Sequence, residues 1–267
     1  KLYGHFMKDA ILAIDQGTTS TRAVLFDSNG KLLHIEQRKI STYFPSNGWV
    51  EQDPEEIWNK TQKVFSLTLK KSAYMKTHIR GMGITNQRET IIAWDKITGK
   101  PLYNAIVWQD RRTAKKCEEM EKDGLSDEIS NKTGLIIDPY FSATKISWIL
   151  DNVEDAKRLA LSNRLAVGTI DTFLLFKFTN GNSFYTDITN ASRTSLYNIN
   201  DNKWDKTLLE IYNIPINILP EVKDNICEFG STDKKLCGCN IPILSMVGDQ
   251  QSSGLGQFCI NTGEVKA

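Results

Sequence analysis

Residues 15–22, DQGTTSTR, combine a glycine with small hydroxyl residues, an acid and an arginine. In a turn of this kind, backbone N–H groups and hydroxyls can crowd around phosphate oxygens, which makes the segment a candidate phosphate-binding turn. Its acid, Asp15, is placed to hold water on Mg²⁺ opposite those phosphates. The alternative is a tight turn with solvated hydroxyls, and the segment fits neither the Walker pattern nor the dinucleotide-binding pattern. The candidate phosphate contacts are Thr18, Thr19, Ser20 and Arg22.

A second candidate is NQRE at residues 86–89, which places polar side chains in a row directly after an apolar segment. The guanidinium of Arg88 donates in a planar fork and the carboxylate of Glu89 accepts, so the pair can bind neighbouring hydroxyl groups. The alternative is an ordinary salt bridge in a surface loop. On residue chemistry alone, both interpretations stay open.

A third candidate is GDQQ at residues 248–251, where a buried strand is expected to turn into a helix. Asp249 is placed either to cap that helix or to accept the proton of an attacking hydroxyl, as an aspartate does in phosphoryl transfer. Two aromatic residues, Trp108 and Tyr140, either line a pocket for the C–H face of a polyol or belong to the core.

These segments must be positioned by alternating strands and helices. Asp53 and Pro54 predict a helix start, because aspartate caps a helix well and proline fits its first turn. Strands are predicted at residues 10–15, 22–26, 32–38, 79–85, 90–95 and 243–247. Further helices are predicted at residues 111–122, 142–152, 171–178 and 250–258. This order predicts an α/β fold.

Composition argues against several other classes of protein. The chain has 267 residues, and its 33 Lys and Arg balance 32 Asp and Glu, so no nucleic-acid or anionic-membrane surface built on bulk charge is expected. No apolar run approaches the roughly 18 residues of a membrane helix, so we expect no membrane insertion. Only three histidines are present, which argues against zinc hydrolysis and a Ser-His-Asp triad. Five cysteines without a disulfide framework predict a cytoplasmic protein.

The chain carries, in this order, the segments DQGTTSTRAV, GWVEQDPEEIW, GITNQRE, TGKPLYNAIVWQDRRT, TGLIIDPYFSATK, GTIDTFLLFK, TDITNASRT and GDQQ. In this combination it resembles the glycerol kinases, within the carbohydrate-kinase family that shares the ATPase fold of actin and Hsp70. The resemblance implies an α/β, actin-like (RNase H-like) ATPase domain with a mixed sheet flanked by helices. It also implies that residues 8–267 form the N-terminal domain and that the C-terminal domain is absent. Residues 1–7 show no pattern, so we expect them to be an expression remnant.

The activity that the resemblance implies is phosphorylation of glycerol to sn-glycerol 3-phosphate, with ATP and Mg²⁺. It gives Asp249 the role of general base, Asp15 a place near Mg²⁺, and the four phosphate candidates above the role of nucleotide contacts. The implied glycerol contacts are Arg88, Glu89, Trp108, Tyr140, Asp249 and Gln250.

Glycerol and ATP/ADP are the implied partners, with no nucleic acid and with a homo-oligomer left open. The isolated half is expected to be inactive, because phosphoryl transfer needs donor and acceptor fixed across one closed cleft. The alternatives are a kinase of another small polyol or sugar, and a non-catalytic fragment that binds glycerol.

Overall fold

Residues 8–266 are described in the computed structural model, so the remnant expected at residues 1–7 lies outside the described residues. The strands are β1 (Lys8–Gln16), β2 (Ser20–Asp27), β3 (Leu32–Lys39), β4 (Glu51–Gln52), β5 (Thr77–Asn86), β6 (Ile91–Asp95), β7 (Ala105–Ile106), β8 (Leu165–Thr169), β9 (Tyr185–Asp187), β10 (Tyr197–Asn198), β11 (Lys203–Trp204), β12 (Glu221–Lys223), β13 (Ile226–Ser231) and β14 (Pro242–Gly248). The helices are α1 (Pro54–Tyr74), α2 (Ala114–Lys122), α3 (Ser126–Thr133), α4 (Ser142–Asn152), α5 (Ala156–Leu161), α6 (Ile170–Phe178), α7 (Ile188–Ala191), α8 (Lys206–Ile211), α9 (Lys234–Cys237) and α10 (Asp249–Gly256).

The main sheet has six strands in the order β13-β14-β5-β1-β2-β3. β1 runs antiparallel to β2 and parallel to β5, and β14 is also parallel to β5, so the sheet is mixed. A second sheet has the order β4-β7-β6-β8. Together with the helices, these sheets confirm the predicted α/β class.

Helix α1 shows how local sequence sets one element of the core. The carboxylate of Asp53 accepts the N–H of Glu55 at 2.9 Å, and Pro54 occupies the first turn, as predicted. One face of the helix then buries Ile57 and Phe65 completely. Apolar residues at this helical spacing pack α1 against β2 and β3 and so hold one side of the main sheet.

The predicted helix at residues 111–122 is wrong at its start, because α2 begins only at Ala114. The carboxylate of Asp110 accepts the backbone N–H of Arg112 at 2.9 Å, which holds this stretch in a turn. Strand β8 was missed by the sequence analysis, since a buried run of five residues has no period that separates it from other apolar segments. Within residues 8–266, every helix is too short or too polar to span a lipid bilayer.

Candidate active site

Three of the predicted segments meet at one edge of the main sheet. Strands β1, β5 and β14 are parallel neighbours, and their register aligns Gln16 with Asn86 and Asn86 with Gly248. Each of these residues ends its strand, so the phosphate turn, NQRE and GDQQ all leave the sheet at the same edge. Open α/β sheets bind their ligands outside the carboxyl ends of such strands.

Arg88 connects two of these segments. Its Nε lies 3.4 Å from Oδ1 of Asp249, its Nη1 donates to Oε1 of Gln251 at 3.1 Å, and its Nη2 lies 4.0 Å from Oε1 of Glu89. Gly248 permits this approach, since a Cβ there would lie 2.5 Å from Cδ of Arg88. Only 12% of the Arg88 side chain and 2% of the Glu89 side chain are exposed, so the surface salt-bridge interpretation is wrong.

Glu89 is held in an unusual backbone conformation at the centre of a three-residue turn. The N–H of Thr90 donates to the carbonyl of Arg88 at 2.7 Å, and φ of Glu89 is 61°, a value uncommon for a residue with a side chain. Oγ of Ser142 donates to the Glu89 carbonyl at 3.1 Å, and Nε of Arg193 donates to Oε1 of Glu89 at 2.7 Å. Burial raises the pKa of Glu89, and the hydrogen bond from Arg193 opposes that rise. Strain of this kind is typical of functional sites.

Asp249 is the first residue of α10, and the N-cap position belongs to Gly248. The helix-cap interpretation of Asp249 is therefore wrong. Oδ1 of Asp249 accepts the N–H of Gln250 at 2.8 Å. Burial raises the pKa of the Asp249 carboxyl, Arg88 lowers it, and the negative charge of Asp15 raises it. A carboxyl with a raised pKa at such a strand end is suited to accept a proton.

A buried polar network supports the backbone near Asp249 and near Arg88. The N–H of Gly248 donates to Oγ1 of Thr189 at 2.8 Å, and that hydroxyl donates to the carboxylate of Asp187. Asp187 also accepts from Nδ2 of Asn190 at 2.6 Å, and the amides of Asn190 and Asn86 exchange hydrogen bonds of 2.9 and 3.1 Å. The start of GDQQ and the start of NQRE therefore rest on the same buried groups.

Trp108 and Tyr140 form an aromatic wall, with edge-to-face rings whose centroids lie 5.5 Å apart. The indole N–H of Trp108 donates to Oγ1 of Thr18 at 2.9 Å, which ties the wall to the phosphate turn. The loop of Tyr140 rests on Lys145, whose Nζ donates to the three consecutive carbonyls of residues 139–141 at 3.0, 2.5 and 2.9 Å. Lys145 is fully buried, and burial lowers its pKa to about 7.

The phosphate turn joins β1 to β2, and its candidates differ in what they contact. Thr19 is exposed, whereas Ser20 is buried. Nε2 of Gln37, in β3, donates to Oγ of Ser20 at 3.0 Å. Nη1 of Arg22 donates to Oδ2 of Asp15 at 2.8 Å. Arg22 and Asp15 are therefore neighbours at the edge of the sheet, where the sequence predicts that phosphate and Mg²⁺ bind.

The residues present fit Mg²⁺ only in combination with phosphate oxygens. No group of three or more His, Cys, Asp or Glu side chains among residues 8–266 is arranged to hold a metal ion. Mg²⁺ commonly binds through one or two carboxylates, with substrate phosphates and waters as the other ligands. Asp15 is such a carboxylate, and it lies close enough to Asp249 for its charge to raise the pKa of Asp249.

Gln250 is a predicted glycerol contact that does not contact Arg88. It is exposed, and its Oε1 accepts from Nζ of Lys266 at 3.0 Å, whereas the next residue, Gln251, contacts Arg88. Gln251, Arg193 and Lys145 were not among the site residues predicted from the sequence. Arg193 lies 104 residues from Glu89, and the only signal for it was a basic residue within the segment TDITNASRT.

Known proteins match both the sequence and the fold. A glycerol kinase of Sinorhizobium fredii is 52% identical over 257 residues, covering 96% of this chain and 52% of that protein. A glycerol kinase of Coxiella burnetii is 52% identical over 262 residues, covering 98% of this chain and 52% of that protein. The crystal structure of Plasmodium falciparum glycerol kinase with ADP matches with a TM-score of 0.93 and 39% identity, over 97% of this chain and 52% of that one.

The chain thus spans about half the length of the relatives it matches, which share 52% of their length with it. The likeness to the solved kinase structure confirms the predicted actin-like fold. The sequence model of the FGGY family of carbohydrate kinases, N-terminal domain, matches residues 10–256, which include the phosphate turn, NQRE and GDQQ. With nearly the whole chain matched and the three strand-end segments assembled at one edge, this protein belongs to the FGGY family of carbohydrate kinases.

Proposed function

We propose that the protein phosphorylates glycerol with ATP as the donor, giving sn-glycerol 3-phosphate and ADP. In this proposal residues 8–267 are the domain that binds glycerol and carries a first phosphate turn. The similar proteins named glycerol kinase support the substrate, and the ADP in the Plasmodium falciparum structure supports the nucleotide. The five free cysteines support a reducing, cytoplasmic location.

The unused hydrogen-bonding capacity of Arg88 and Glu89 carries this proposal. Nη1 of Arg88 binds Gln251 and Oε1 of Glu89 binds Arg193, whereas Nη2 of Arg88 and Oε2 of Glu89 make no hydrogen bond within residues 8–266. A free donor and a free acceptor on neighbouring residues can together hold two adjacent hydroxyl groups. Burial and the charge of Glu89 raise the pKa of the Tyr140 hydroxyl, and the Tyr140 ring would cover the carbon chain.

Asp249 would act on the hydroxyl that is phosphorylated. Arg88 and Glu89 hold the other two hydroxyls of glycerol. The carboxylate of Asp249 takes the proton of the terminal hydroxyl while the oxygen of that hydroxyl attacks the γ-phosphorus of ATP, and ADP leaves. The placement of Asp249 beside the hydroxyl contributes most to the rate, because phosphoryl transfer depends largely on orientation and on stabilisation of charge. Burial raises the pKa of the Asp249 carboxyl, and the nearby charge of Arg88 opposes that rise.

The phosphate turn would hold the nucleotide. Thr18 and Thr19 would present backbone and hydroxyl groups to the phosphate oxygens, and Arg22 would add positive charge. The neighbouring Ser20 has its hydroxyl buried against Gln37 of β3. Asp15 would hold Mg²⁺ through water, and Mg²⁺, when bound, neutralises charge on the β- and γ-phosphate oxygens. The hydrogen bond from Trp108 to Thr18 connects the acceptor side of the site to this donor side.

A coupled assay of ADP release from the full gene product tests the proposal. Glycerol, ribitol, xylulose and gluconate are compared as acceptors, and glycerol is expected to give the highest kcat/KM. A higher value for another acceptor would favour a kinase of that polyol or sugar. Glycerol binding in calorimetry with no ADP release would favour a non-catalytic binding protein.

Arg88→Lys is expected to raise the KM for glycerol about tenfold or more, with a smaller change in kcat. Lysine keeps the positive charge but cannot reproduce the planar fork that reaches Gln251 and a substrate hydroxyl together. Glycerol titrations of the steady-state rate measure this. The matched control is Arg158→Lys, because the Arg158 side chain is 63% exposed and is paired with Asp155. An unchanged KM for glycerol in Arg88→Lys would show that Arg88 does not bind the substrate.

A further inference from the structure

We propose that Arg193 is a positioning residue for the polyol pocket, which holds the Glu89 carboxylate and the Tyr140 ring in place for substrate. This inference rests on the proposed function, since it assigns a task to a residue that borders the same pocket. Arg193 follows helix α7, its Nε contacts the same oxygen of Glu89 that lies 4.0 Å from Nη2 of Arg88, and its side chain is 25% exposed.

The contact with Glu89 is directional. Nε of Arg193 donates to Oε1 of Glu89 at 2.7 Å, the short length typical of a charge-assisted hydrogen bond. Oε1 accepts this hydrogen bond, whereas Oε2 accepts none within residues 8–266, so Oε2 is the better-placed oxygen to accept a substrate hydroxyl. The Glu89 backbone is fixed by its turn and by Ser142, so the remaining freedom lies in the side chain, and Arg193 removes it.

The same guanidinium also packs on the aromatic residues of the neighbouring loop. Cζ of Arg193 lies 4.9 Å from the ring centroid of Phe141 and 5.7 Å from that of Tyr140. Cations over aromatic faces attract the ring, and this attraction is stronger where water is excluded. One side chain therefore contacts both the acid and the aromatic ring that the proposed function assigns to glycerol.

The backbone that presents Arg193 is itself anchored to the site. The N–H of Arg193 donates to the carbonyl of Asn190 at 3.1 Å, and the amide of Asn190 is paired with Asn86 at the start of NQRE. Arg193 and Glu89 are thus 104 residues apart in sequence but share one buried support.

The positive charge of Arg193 affects the pKa of Glu89, so its removal should change the pH dependence of the KM, which a purely structural role would not do. The groups that face Glu89 are Arg193, Arg88, Lys145 and Tyr140. Burial raises the pKa of Glu89, whereas Arg193 lowers it through both its hydrogen bond and its charge. Without Arg193 the pKa of Glu89 rises further, so Glu89 becomes protonated at a higher pH and no longer accepts with both oxygens.

The test measures kcat and the KM for glycerol between about pH 5 and 9 in the full gene product, for wild type, Arg193→Met and Arg193→Lys. We expect Arg193→Met to raise the KM about 10- to 100-fold, the range for loss of a hydrogen bond to a charged group, with kcat changed less. The pH below which the KM rises should move upward in Arg193→Met and return part of the way in Arg193→Lys.

Two further variants complete the design. Arg158→Met removes an exposed arginine and should leave the KM and its pH profile unchanged. In a Glu89→Gln background, Arg193→Met should add little, because the residues act as a unit. The inference would be overturned if Arg193→Met had the same KM and pH profile as wild type. It would also be overturned if Arg193→Met and Arg193→Lys raised the KM equally at every pH. Absence of glycerol phosphorylation in wild type would instead overturn the proposed function.

Discussion

Asp249→Asn is expected to abolish most turnover while glycerol still binds. Loss of a general base typically lowers kcat about 100- to 10,000-fold. The asparagine side chain has nearly the same shape, and its oxygen can still accept the N–H of Gln250, so the start of α10 should persist. Glycerol affinity should therefore remain within about tenfold of wild type, or about 1.4 kcal/mol. Steady-state ADP release and calorimetric glycerol binding measure the two effects separately.

The pH dependence distinguishes a base from a binding group. Because burial raises the pKa of Asp249, wild-type kcat at saturating glycerol should fall on the acid side at a pH above the ordinary range of an aspartate. The residual activity of Asp249→Asn should lack that limb. Asp155→Asn, at a 60% exposed carboxylate, is the matched control. Large loss of glycerol affinity with surviving catalysis would show that Asp249 binds substrate and does not act as the base.

The edge of the sheet that carries the candidate site could be predicted from sequence because its parts are local. A glycine with hydroxyl residues, an Arg-Glu pair and an Asp after a strand each show their chemistry within a few residues. The strands β1, β5 and β14 were also predicted, although the register that aligns Gln16, Asn86 and Gly248 became visible only in the sheet.

The partners of these residues could not be predicted, since each depends on contacts between distant segments. Arg193 reaches Glu89 across 104 residues, and Asn86 pairs with Asn190 across the same separation. Lys145 carries no sequence signal either, since a lysine at a helix start usually lies in solvent. Its burial follows from a loop whose three carbonyls converge on one amine. Long-range polar pairing of this kind leaves no periodic pattern in a single sequence.

A buried arginine supports the loop that carries Trp108. The Arg112 side chain is fully buried; its Nη2 donates to Oε1 of Glu51 at 2.7 Å and to Oδ2 of Asp110 at 2.8 Å. Its Nε donates to Oδ1 of Asp110 at 2.9 Å, and its Cζ lies 3.8 Å from the ring centroid of Trp49. Asp110 in turn accepts the N–H of Val50 at 2.6 Å, so this cluster joins the loop to β4.

Arg112→Met should lower the free energy of unfolding by about 3–5 kcal/mol, the usual cost of breaking a buried ion pair from one side. Methionine fills much of the volume between the aromatic rings, but it leaves the buried carboxylates of Glu51 and Asp110 without their cation. At about 2–4 °C per kcal/mol for a domain of this size, the Tm should fall by about 6–20 °C. Thermal unfolding of the full gene product, with and without glycerol, measures the loss.

Two comparisons separate the buried charges from the packing of the side chain. Arg158→Met breaks an exposed pair and should cost at most about 1 kcal/mol, because solvent screens such pairs. Arg112→Lys keeps one positive charge but loses the fork that reaches Glu51 and Asp110 together, so its Tm should lie between those of wild type and Arg112→Met. An Arg112→Met protein that unfolds at the same temperature as Arg158→Met would show that the cluster adds no net stability. A fall in Tm equal for methionine and lysine would assign the effect to the shape of the side chain, because the charge is retained only in lysine.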